Sequence, residues 1–141
     1  MKAVKIVKPN DLQIIDMEKP VLDEKNNVLV KIRAAGICGS DVGIYHGKNA
    51  AATYPRVIGH EMVGDVVEVG ENATKFKVGD LAGVGCMVNA CGHCQSCEMH
   101  KEQFCENGTT FTYNSPDRYH NGEMAMGGYS DNIVVSENFA I

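Results

Sequence analysis

CGHCQSCEMHKEQFC, running from Cys91 to Cys105, sets four cysteines in the pattern C-x2-C-x2-C-x7-C. Two residues between cysteines let a tight loop aim successive sulfurs at one point, and the return of Cys105 supplies the fourth corner of a tetrahedron. Zinc suits such a corner set, because it takes four thiolates at about 2.3 Å and has no redox chemistry of its own. Gly92, His93, Gln95 and Ser96 are small or polar, as a loop wrapped on metal instead of an apolar core requires. Disulfides fit less well: cysteines this close would form strained pairs, and nothing in the chain suggests secretion. The spacing also matches neither common ferredoxin pattern. Residues 86 to about 108 therefore read as a structural zinc lobe carried by Cys91, Cys94, Cys97 and Cys105. Such a lobe depends too much on metal to be a domain by itself.

The body from which the lobe hangs reads as β. Ala3–Val7, Leu12–Met17 and Val28–Ala35 are short runs rich in Val and Ile, separated by Pro, Asn and Asp. In the third, Val28, Val30, Ile32 and Ala34 share one face while Lys31 and Arg33 point the other way. Val63–Val69, Val78–Val84 and Ser130–Ser136 continue the pattern. Ser40–Tyr45 is the clearest helical stretch, with Ser40 in a capping position. Fifteen glycines among such short strands suggest a barrel-like, mainly β fold with bulges. The polar stretch from Gly108 to Met126 reads as a long surface loop.

At 141 residues the chain is expected to form one domain, residues 1–141, large enough for a real core. A formal net charge of −5, with Lys and Arg scattered singly, argues against a zinc ribbon that binds DNA or RNA. The opening MKAVKIVKPNDLQIID turns polar too early for a signal peptide, and no apolar run approaches a membrane span. A reducing, cytoplasmic location with no membrane partner follows as the expectation, and the six cysteines are then ligands or free thiols.

A second constellation joins Gly59-His60-Glu61 to the earlier Cys38-Gly39-Ser40-Asp41. It is not a zincin motif, since Gly64 stands where the second histidine would be. A thiolate and an imidazole suit zinc, and Asp41 is of the right kind to accept a hydrogen bond from the far nitrogen of His60. On spacing alone a second metal site and an ordinary buried thiol both remain open.

Gly59-His60-Glu61-x2-Gly64-x5-Gly70-x2-Ala73, with the cysteine lobe after it and Cys38-x-Ser40-Asp41 before it, resembles the zinc-dependent medium-chain alcohol dehydrogenases. The likeness covers Met1–Ile141 and implies the N-terminal GroES-like catalytic domain, a partly open barrel. Gly83-Val84-Gly85-Cys86, Thr112-Tyr113-Asn114 and Gly127-Gly128-Tyr129-Ser130 are most similar to the cinnamyl-alcohol-dehydrogenase branch, often broad aldehyde reductases. Cys38-Gly39-Ser40-Asp41-Val42 is closer to polyol and threonine dehydrogenases. The resemblance implies that Cys38 and His60 bind a catalytic zinc and that Glu61 sits behind the metal. It implies that Ser40 exchanges the substrate's proton, that Asp41 holds His60, and that Cys91, Cys94, Cys97 and Cys105 bind a structural zinc. Its chemistry is hydride transfer between a small alcohol or aldehyde and NAD(P).

Two departures stand out. Where many members carry a relay histidine five residues after the cysteine ligand, this chain has Gly43; His46 is a candidate substitute. The chain also holds no G-x-G-x-x-G motif, and it stops at Phe139-Ala140-Ile141 inside an apolar stretch. The expectation is an incomplete catalytic domain whose partner is its own absent Rossmann half. Alone it would be inactive, with an open strand edge; at full length it would be a homo-oligomer. A stand-alone zinc-binding structural module is the alternative. Cys86 reads as a packed thiol, and His93 and His100 as solvent-facing. Tyr45 and Tyr113 read as packing or surface aromatics with a possible pocket role, and His120 carries no assignment.

Overall fold

The computed structural model describes residues 1–22, 27–120 and 122–141. In chain order its strands are β1 (Lys2–Lys8), β2 (Asp11–Asp16), β3 (Asn27–Ala35), β4 (Arg56–Val57), β5 (Met62–Val69), β6 (Leu81–Val84), β7 (Met87–Asn89), β8 (Thr110–Phe111) and β9 (Asn132–Ser136). Helices α1 (Gly39–Tyr45) and α2 (Gln95–Glu98) and a 3-10 turn at Glu102–Phe104 complete the elements. The Val- and Ile-rich runs pair as antiparallel ladders in the orders β2-β1-β4, β6-β5-β3-β9 and β7-β8. After β9 the chain curls back so that Gly83 and Ile141 exchange both backbone hydrogen bonds, at 2.7 and 3.0 Å. The bridge Val84↔Ala140 lies beside them. That return covers part of the free edge of β6, and the sheets together make a partly open barrel.

The barrel interior is aliphatic: Val28, Val30, Met62, Val66, Ala82, Val84, Val88, Ile133, Val135 and Ala140 are buried in one cluster. A smaller cluster of Ile6, Ile44 and Ile58, edged by Tyr54, Tyr113 and Tyr129, lies between the first sheet and α1. It forms the floor beneath the second constellation.

The alternation expected along β3 holds only in part. Val28 and Val30 are buried and Lys31 and Arg33 exposed, but Leu29 is fully buried too, while Ala34 is exposed. Register shifts between Leu29 and Val30 and between Ile32 and Ala34 break the period, as bulges do. Opposite the second shift, a Cβ on Gly64 would collide with the Lys31 carbonyl, so the strands approach closely only with glycine there.

Other expectations are corrected. The run from Val78 shortens to Leu81–Val84: Val78 is exposed and precedes a turn in which Asp80 N–H donates to Lys77 O at 3.1 Å, with Gly79 at φ +96°. The cap of α1 is Cys38, not Ser40. Residues 108–126 are not all surface loop, position 121 lying outside the described residues. Thr110 and Thr112 are buried, with Thr112 Oγ1 donating to Gly85 O at 2.5 Å. Cys86 is exposed and so is not a packed thiol. Among the described residues no helix is long and apolar enough to cross a membrane.

Candidate metal centres

The lobe's four sulfurs converge from three local devices. Gly92, at φ +74°, turns the chain between Cys91 and Cys94. Cys94 then caps α2, which carries Cys97, and Cys105 ends the 3-10 turn. All four sulfurs lie within 4.8 Å of one another. The separations are 3.5 Å for Cys94–Cys97, 3.8 Å for Cys91–Cys97 and 4.0 Å for Cys94–Cys105. Four thiolates about 2.3 Å from one zinc ion would be about 3.8 Å apart. All six cysteines are free of disulfides.

The electrostatics of the lobe also suit a cation. At Cys91 burial opposes ionisation, but hydrogen bonds from the Asn107 side chain and the His93 and Cys94 backbone outweigh it and lower the pKa to about 5. Burial first, and then the Cys94 thiol, push Cys97 up to about 12. Packed sulfurs cannot all ionise without a positive charge among them, and a divalent ion supplies it. Tyr119 closes the lobe: its hydroxyl is 3.9 Å from Cys105 Sγ and bonds the Gly108 carbonyl at 2.7 Å. His93 and His100 are exposed, as the spacing suggested.

The second centre forms where α1 begins and β4 gives way to β5. Cys38 N–H donates to Asp41 Oδ2 at 2.9 Å, folding the Asp41 carboxylate back under the first turn. Cys38, His60 and Glu61 each bring a donor atom to one point, all within 4.8 Å. His60 Nδ1 faces Asp41 Oδ1 at 3.4 Å, and both are buried atoms with no other hydrogen-bond partner. A neutral imidazole protonated at Nδ1 satisfies this pair and leaves Nε2 as a metal donor. Hydrogen bonds from the Ser40 side chain and backbone, and then from His60, lower the pKa of Cys38 and favour its thiolate. Glu61 is exposed; its carboxylate lies against Gly36, where a Cβ would meet Oε2 at 2.6 Å. This donor set of thiolate, imidazole and carboxylate fits zinc.

Two aromatic residues stand at the centre: Tyr113, for which the sequence reading weighs a pocket role against packing, and Tyr129, which it does not assign. The Tyr113 ring lies 5.8 Å from that of His60. Its phenol is shifted upward, by burial above all, with Ser40, Asp41 and Cys38 all close enough to act on it. Tyr129 donates to Asp41 Oδ2 at 2.8 Å, and burial and that carboxylate hold its phenol well above the usual range. Only the Gly127-Gly128 pair hints at Tyr129: a Cβ on Gly128 would strike Met62, so these glycines let its segment approach closely. His46 turns elsewhere, with Nδ1 2.8 Å from Asn10 Oδ1.

A mainly β barrel with a tetracysteine lobe and a thiolate–imidazole–carboxylate centre is the architecture of the zinc-dependent dehydrogenase catalytic domain. The chain belongs to the alcohol dehydrogenase GroES-like domain family, which it matches over residues 24–141. It is 48% identical over 116 residues to cinnamyl alcohol dehydrogenase 7 of Oryza sativa subsp. japonica, covering 82% of this chain and 30% of that protein. A probable mannitol dehydrogenase of Mesembryanthemum crystallinum is 45% identical over 117 residues, 83% of this chain and 32% of the relative. Among solved structures, the cinnamyl alcohol dehydrogenase of Helicobacter pylori complexed with NADP(H) superposes with a TM-score of 0.88 at 42% identity, covering 99% of this chain and 40% of that one. The chain thus spans about a third of the length of these curated relatives.

Proposed function

We propose that this chain is the metal-holding catalytic domain of an NAD(P)-dependent zinc alcohol dehydrogenase or aldehyde reductase. The observation that carries the reading is the convergence of Cys38, His60 and Glu61 beside exposed Ser40, with the buried Asp41 behind His60. Cys38 and His60 hold the catalytic metal, and Glu61 lies within reach as an alternative carboxylate donor. Cys91, Cys94, Cys97 and Cys105 hold a structural ion. Zinc, when bound, would supply Lewis acidity toward an alcohol or carbonyl oxygen, with NAD(P)+ as the hydride acceptor in oxidation and NAD(P)H as the donor in reduction. Asp41 keeps the His60 proton on Nδ1, so the ring presents its other nitrogen. Ser40 would relay the proton of a substrate hydroxyl, passing its own Oγ proton to the solvent it faces as it accepts the new one, with the reverse transfer to a carbonyl oxygen in the reductive direction. Tyr113 stands beside the same group, its ring 5.8 Å from that of His60.

The chain has no nucleotide fingerprint, so NAD(P) binding is assigned to sequence outside these 141 residues. A cytoplasmic location suits six unpaired cysteines, two groups of which are metal donors. Self-association into a homo-oligomer is supported by the exposed Leu12 and Ile14 on β2, an edge strand. The cinnamyl alcohol dehydrogenase relative supports an alcohol of that kind, or its aldehyde, as the first reading of substrate class, and the mannitol dehydrogenase relative supports a polyol as the second.

The test is Cys38→Ser in the full-length protein that includes the NAD(P)-binding sequence. Alcohol-dependent reduction of NAD(P) should be abolished while the thermal midpoint and the lobe's metal persist. Turnover at the unsubstituted rate would sink the assignment.

A further inference from the structure

Tyr129 stands where the segments bearing Cys38 and His60 meet. Its N–H donates to Ile58 O at 2.9 Å, and Val4 N–H donates to its carbonyl at 2.7 Å, so its main chain is clamped between β1 and the run ahead of His60. Gly127 N–H to Val57 O at 3.1 Å and Gly128 N–H to Gly59 O at 2.9 Å extend that pairing. The ring is seated on Gly59, at φ +102°, where a Cβ would collide with it.

The side chain then crosses to the other segment. Its hydroxyl lies 2.8 Å from Asp41 Oδ2, to which it donates, and 3.1 Å from the Gly36 carbonyl. Asp41 is only 3% exposed, and a buried carboxylate must be hydrogen-bonded. Oδ2 takes two donors, the Cys38 N–H and the Tyr129 hydroxyl, which leaves Oδ1 for His60 Nδ1 at 3.4 Å. Without the phenol, one donor alone holds Oδ2, and the carboxylate is free to turn away from His60.

We infer that Tyr129 is a positioning residue for the Cys38–His60 metal centre. Its hydroxyl ties the start of α1 to the His60 segment and aims the second oxygen of Asp41 at the imidazole. The inference rests on the reading of Cys38 and His60 as metal ligands. The rival role is packing, since the ring also borders the cluster of Ile6, Ile44 and Ile58. Tyr129→Phe separates the two, because it keeps the ring and removes only the hydroxyl.

The experiment is a cobalt(II) titration of the metal-free purified protein. Thiolate-to-metal absorption separates the tetrathiolate lobe from the centre with one thiolate. Tyr129→Phe should weaken cobalt binding at the one-thiolate centre by about tenfold or more and leave the lobe unchanged. Added to Asp41→Asn, it should cause no further loss, because both act through one carboxylate. Equal affinity with and without the hydroxyl overturns the inference, as does equal weakening at both sites, which would mean a general structural role. If the unsubstituted protein takes up no second cobalt, the ligand assignment itself falls, and the inference with it.

Discussion

Asp41 is the residue on which the second centre turns. It caps the backbone of Cys38, receives Tyr129 and faces His60, so one buried carboxylate relates three segments far apart in the chain. Its place beside His60 was expected from its chemistry, as a carboxylate able to accept from the far nitrogen of a ligand histidine, but its fold back onto the Cys38 backbone was not, the expected cap being Ser40. Its contact with Tyr129 spans 88 residues and was not legible in sequence, because no local pattern encodes a tertiary hydrogen bond. Glycines give two further tests at this scale. Gly43 lies inside α1 with nothing within 4 Å of a Cβ, so Gly43→Ala should raise stability by about 0.5–1 kcal/mol in a urea titration. Unchanged or lower stability would contradict the open space described there. Gly64→Ala should do the reverse, destabilising by about 1–3 kcal/mol as β3 and β5 are forced apart at Lys31.

At the scale of elements, β3 carries the most. It pairs with both β5 and β9 and buries Val28, Leu29 and Val30 completely. Leu29→Ala should cost about 2–5 kcal/mol, read as a lower urea midpoint at unchanged slope. A loss well under 1 kcal/mol would mean that the site collapses or that Leu29 is not core. The run of β-branched residues made this strand readable; its bulges were not, because register shifts depend on the partner strand. Residues 108–126 misled for a related reason. Their threonines are polar in sequence, yet they enter the interior by pairing with Gly85 O and with Asp117 Oδ1. The lobe was the most legible element, since cysteine spacing encodes its geometry directly. Cys97→Ser should release its metal and expose residues 86–108 to proteolysis while the barrel's strand signal persists. A lobe that stays protease-resistant without the Cys97 thiolate would contradict a metal-built structure.

At the largest scale the described residues form a mainly β fold in which Gly83 pairs with Ile141, with candidate metal donors grouped in two places. Cys38 and His60 stand far apart and their spacing alone leaves a buried thiol equally open, whereas the tetracysteine group is visible in sequence because its ligands are chemically distinctive and closely spaced. Substrate class is less so: the walls of the second centre come from Tyr113 and Tyr129, brought in by tertiary folding from beyond the lobe. The account stands on there being two metal centres of different donor chemistry in one chain. Elemental analysis of zinc per chain, on protein purified without added metal or chelator, measures this directly. The account predicts about two zinc ions in the unsubstituted protein and about one in Cys38→Ser. One zinc in both would leave the tetracysteine lobe as the chain's sole metal centre and contradict the catalytic reading of Cys38 and His60.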